Sequence, residues 1–74
     1  MATFDEKEFL YDVYNSVRIC ISKAKGYDNE YTECMLKDIK NLQQFKNEII
    51  NTPHEDIDYQ QALKFFKNIE NKYQ

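Results

Sequence analysis

"RICISKAKGYDNEYTECM", residues 18–35, decides the fold. It holds both cysteines and the single glycine of the chain. Lys23 and Lys25 followed by Gly26 form a helix-stop signal, because cations suit the negative end of the dipole and glycine closes the last turn without steric cost. Asp28 and Asn29 then offer a helix cap, and Glu30 and Glu33 suit the positive end of a new dipole. One helix therefore ends and another begins inside this stretch. A link this short makes neighbouring helices run antiparallel.

Toward the N-terminus, Thr3 and Glu6 have the spacing of a capping box. Leu10, Val13, Tyr14, Val17, Cys20, Ile21 and Ala24 then recur at three- and four-residue steps, an apolar arc of roughly 120° on one helix. The first helix is predicted at 4–25. Toward the C-terminus, Tyr31, Cys34, Met35, Ile39, Leu42, Phe45 and Ile49 form a second stripe. That helix must end near Thr52, because Pro53 cannot continue the ladder. A third helix has two candidate caps, Thr52 and Asp58. Tyr59, Ala62, Leu63, Phe66, Ile69 and Tyr73 share a face, from which Ile57 would point away on a continuous helix. The main helix is therefore predicted at 59–73, after a separate turn at 53–57.

Three amphipathic helices predict an all-α fold, an antiparallel three-helix bundle built as a single domain over 1–74. An α-hairpin that completes its core by dimerisation is the alternative. Composition agrees. One Gly and one Pro in 74 residues leave too few turn residues for a strand protein, which needs them every eight to twelve positions or so. A chain this short buries only roughly 60% of its unfolded surface, so a deep catalytic cavity is not expected.

The net charge of −3, with both signs interspersed, lacks the basic stripe of a nucleic-acid binder. No apolar run approaches the length of a membrane span. The opening "MATFDEKEFL" is acidic and does not read as a signal peptide, so a cytoplasmic setting with reduced thiols is expected. Lysines outnumber arginines nine to one, and Asn, Ile and Tyr are common, a mix that fits AT-rich coding and a phage or low-GC bacterial source.

No catalytic or metal motif emerges, and neither an enzyme nor a cofactor is expected. Cys20 and Cys34 are equidistant from residue 27 and lie on the predicted stripes. They are expected to face each other as buried neighbours, with reduced thiols, a disulfide or part of a metal site as the alternatives. A zinc site needs about four clustered ligands, and the single histidine, His54, lies in the distant "TPHED" turn, where an exposed position is expected. Lys23, Lys25 and Tyr27, next to a helix N-terminus, are the one place with a rationale for a nucleotide-like anion, although Asp28, Glu30 and Glu33 crowd the same helix start.

The most informative anomaly is apolar surface off the stripes. Tyr11, Asn15, Arg18 and Ile19 lie on the back of the first helix with Phe4 and Ser22, and Leu36 points away from the second stripe. Phe9 and Phe65 are expected to be absorbed by stripes widened in a bundle. A cluster of Tyr, Arg and Ile has the composition of an interface core. The expected function is a non-enzymatic, protein-binding regulator or inhibitor of phage or mobile-element type, which covers a surface of a target protein or of a second copy of the chain. The alternatives are a small-ligand binder or sequestering oligomer that uses the 23–27 turn, and a structural subunit of a larger assembly.

Overall fold

The structure, a computed structural model, describes residues 2–24 and 31–73. Over these residues the chain is all-α. Three helices, α1 (Phe4–Lys23), α2 (Glu33–Ile50) and α3 (Tyr59–Asn71), pack as a three-helix bundle, with a 3₁₀ turn at His54–Asp56 between α2 and α3. The bundle is elongated, 43 × 19 × 15 Å, because α1 alone spans about 30 Å at 1.5 Å per residue.

Each helix starts where a side chain satisfies an orphan N–H. Thr3 accepts from the Glu6 N–H at 3.1 Å while the Glu6 carboxylate accepts from the Thr3 N–H at 2.9 Å, the expected capping box. The start of α2 differs from expectation. Thr32, not Asp28 or Asn29, is its cap, in extended backbone and accepting from the Met35 N–H at 3.2 Å. Tyr31 thus precedes the helix, yet it still packs half-buried on the core. Asp58 caps α3 by accepting from the Gln61 N–H at 3.2 Å. The earlier candidate, Thr52, instead donates its hydroxyl to the Glu48 carbonyl at 2.6 Å. The separate turn is present, and it lets Ile57 point inward and become buried. Both α1 and α3 end two residues before their predicted limits, at Lys23 and Asn71.

Two ties at one end of the bundle fix the helix order in space. The buried Ala2 donates its N–H to the His54 carbonyl at 3.3 Å, and His54 Nδ1 lies 3.2 Å from the Ala2 carbonyl, which requires a proton on Nδ1. His54 is therefore half-buried and structural rather than an exposed turn residue. Lys7 donates to the carbonyls of Thr52 at 2.8 Å and Ile50 at 3.4 Å. No basic residue lies in the last turn of α2, so Lys7 supplies from α1 the cation that this helix end favours. At the other end, Cys20 Sγ donates to the Tyr73 carbonyl at 3.6 Å. Hence α1 and α3 run parallel, and α2 runs antiparallel to both.

The core is Phe66, Leu10, Ile21, Leu42 and Val17, all fully buried, with Val13, Tyr14, Met35, Ile49, Ala62 and Ile69 around them. Each fully buried Phe, Leu, Ile or Val among them contributes about 1.5–3 kcal/mol by leaving water. Tyr14 and Phe45 both set their rings edge-on to Phe66, at 6.4 and 5.4 Å between centroids, and Phe45 stacks on Phe65 at 4.3 Å. Such pairs are each worth about 0.5–1.5 kcal/mol beyond the area they bury.

Candidate functional site

The cysteines are not the buried pair expected. Both are free thiols, Cys20 half-buried and Cys34 exposed. With α2 starting at Glu33, its inward line is Met35, Asp38, Leu42 and Ile49. Cys34 lies roughly 100° off Met35 and so turns outward. Among the described residues, no group of three or more His, Cys, Asp or Glu side chains is placed to hold a metal ion, and no helix is long and apolar enough to cross a membrane. In the candidate anion turn, Lys23 is exposed, while Lys25 and Tyr27 lie outside the described residues.

Position 38 is a charged site that the stripe analysis missed. Asp38 is buried, and it accepts from the Tyr73 hydroxyl and, at 3.4 Å, from the Lys72 ammonium. Burial, together with the Asp38 hydrogen bond and charge, pushes the Tyr73 phenol up to about 12. A signal existed in the sequence, since Asp38 stands three residues from Met35 and four from Leu42 on the inward line. A carboxylate there needs a partner. The cluster joins α2 to the end of α3.

The off-stripe apolar residues are arranged in a definite pattern. Residues seven apart on a helix lie nearly in line, drifting by only about 20°. Phe4, Tyr11 and Arg18 form one such line on α1, and Leu36, Gln43 and Ile50 form another on α2. The Lys7 bonds to the end of α2 and the Lys46 ammonium, 4.7 Å from the centre of the Tyr14 ring, show which flanks of the two helices adjoin. The two lines lie just outside that junction, on the side away from α3. They border one shallow seam. Phe4, Leu36 and Ile50 are 61%, 54% and 48% exposed along it.

Tyr11 was expected in water but is half-buried and packs on the core from the seam edge. Arg18 is half-buried as well and donates to the Tyr14 hydroxyl at 3.1 Å. Tyr14 thus holds two cations at the seam, one on its hydroxyl and one over its ring. The predicted patch therefore divides. Tyr11, Arg18 and Leu36 belong to the seam, and the exposed Asn15 lies beside it, only about 20° round α1 from Phe4, whereas Ile19, also exposed, lies farther round. Ile19 is roughly 100° from Arg18. Phe9 remains 49% exposed on the other flank of α1, so the widened stripe does not absorb it. Phe65 is absorbed, against Phe45.

A second concave surface lies between the C-terminal half of α2 and the start of α3. It is an open groove of about 430 Å³ floored by Phe45, Ile49 and Phe65 with Ile57 and Ala62, and its charged lining is Glu48, Asp56 and Asp58. No cation lines it. No protein-family model, curated protein or solved structure matches the chain, so function has to be argued from these surfaces.

Proposed function

We propose that the protein is a non-enzymatic, protein-binding regulator or inhibitor that docks through the α1/α2 seam and acts by covering a surface of its target. The observation that carries this is the aligned exposure of Phe4, Leu36 and Ile50 beside half-buried Tyr11 and Arg18. The inward lines of α1 and α2 are complete without Phe4, Leu36 and Ile50, although Phe4 does set its ring edge-on to His54 at 6.3 Å. Scattered single apolar residues on a surface need no explanation, but apolar residues in two adjoining heptad lines form the kind of surface against which a partner helix packs. Tyr and Arg are also enriched among the residues that dominate interface energies.

A photo-crosslinking residue at Gln43, in the middle of the seam, tests the proposal in the native cell. The expected result is a discrete adduct of higher mass that is absent when the same probe replaces Lys64, on the outer face of α3. Equal yields from both positions, or no adduct from Gln43, would refute it.

A further inference from the structure

Among the described residues, neither the cations beside the seam nor the carboxylates of the groove form an ion pair within the chain. The cations at the seam, Lys7, Arg18 and Lys46, meet backbone carbonyls and Tyr14 rather than carboxylates. At the groove, Glu48 and Asp56 form no ion pair among the described residues, and Asp58 is engaged only in capping α3. Carboxylates gathered round an apolar floor oppose any occupant that removes them from water without supplying cations, since a desolvated unpaired charge is costly. An occupant of the groove must therefore combine apolar bulk with adjacent cations. At one end of the seam the chain has that combination. Phe4 and Ile50 are exposed, Lys7 is one turn from Phe4 and bonded to the Ile50 carbonyl, and Lys46 is one turn from Ile50.

We infer that the groove accepts the Phe4–Ile50 end of the seam from a second copy of this chain, with Phe4 and Ile50 on the apolar floor and Lys7 and Lys46 facing Glu48 and Asp56. This rests on the seam being a docking surface and names one occupant for it. Seam and groove lie on opposite flanks of α2, so the contact is heterologous. It leaves one free seam and one free groove on every dimer and extends head-to-tail with concentration. Opposite charge at the contact makes the association weaken with salt. A copy whose seam end is occupied has less surface to offer a target, so self-association and target binding compete.

Mixing two complementary variants tests this. Phe4→Glu with Ile50→Glu spoils the seam and keeps the groove, and Glu48→Lys with Asp56→Lys does the reverse. All four positions are exposed, and circular dichroism checks that each variant folds, with Glu48→Gln and Asp56→Asn as a milder groove variant. In sedimentation at low salt, wild type is expected to grow in mass with concentration, each variant to stay monomeric, and the equimolar mixture to stop at a 1:1 dimer. A monomeric wild type at all concentrations overturns the inference, as does a mixture that fails to pair. A monomeric wild type that still gives the Gln43 adduct overturns this inference alone and leaves the seam as the docking surface for another protein.

Discussion

Asp38, buried on α2, accepts a hydrogen bond from the Tyr73 hydroxyl just beyond α3. This bond and the Lys72 contact join α2 to the end of α3, and they give a buried carboxylate the partners it needs. Tyr73→Phe keeps the ring and removes the donor. It is expected to cost about 1–3 kcal/mol in urea denaturation. The phenol is raised from 10.0 to about 12 in the folded protein, so the native state holds this proton more tightly than the unfolded chain. Its contribution is fully present below the unfolded value and is lost as pH rises through the folded one. Stability should therefore fall between pH 10 and 12, and fall less in Tyr73→Phe. Equal alkaline slopes in the two proteins would rule out this bond as the cause.

Phe66 is fully buried and meets Tyr14, Phe45 and Phe65 edge-on. Phe66→Ala should cost about 3–5 kcal/mol through lost transfer energy and the cavity left behind. That approaches the entire stability expected of a domain this small. A variant that melts near the wild-type temperature would show that the ring is not central to the core.

Thiol labelling of the native protein should be biphasic. Cys34 is exposed and Cys20 is half-buried with its Sγ on the Tyr73 carbonyl, so Cys34 should react quickly and Cys20 several-fold more slowly. Equal rates, or slow labelling of both, would contradict the outward turn of Cys34.

Most of the fold was legible in local signals. The Thr3–Glu6 capping box, Pro53, the Asp58 cap and the misplaced phase of Ile57 are each set by neighbours a few residues away, and the structure has all of them. The start of α2 was misjudged because several residues in 28–32 are competent caps, and packing decides among them. Cys34 was misjudged separately, because it was counted on a stripe wide enough to hold both Cys34 and Met35, which lie roughly 100° apart. Asp38 was missed because the stripe was assembled from apolar residues alone. The site was legible only in part. Periodicity exposed Tyr11, Arg18 and Leu36 as off-stripe. It could not show that the outer flanks of α1 and α2 adjoin, which depends on the long-range Lys7 and Lys46 contacts. The groove depends in the same way on Phe45 stacking against Phe65, two residues from different helices.

The central claim is that the α1/α2 seam is there for association and not for folding. The most direct measurement is the crosslink yield from position 43 in a Leu36→Glu, Ile50→Glu background, read beside the melting temperature of the same variant. The account predicts a melting temperature within a few degrees of wild type, since changes at exposed positions usually stay within about 0.5 kcal/mol, together with loss of the adduct. An undiminished adduct would contradict the account, and so would unfolding of the variant.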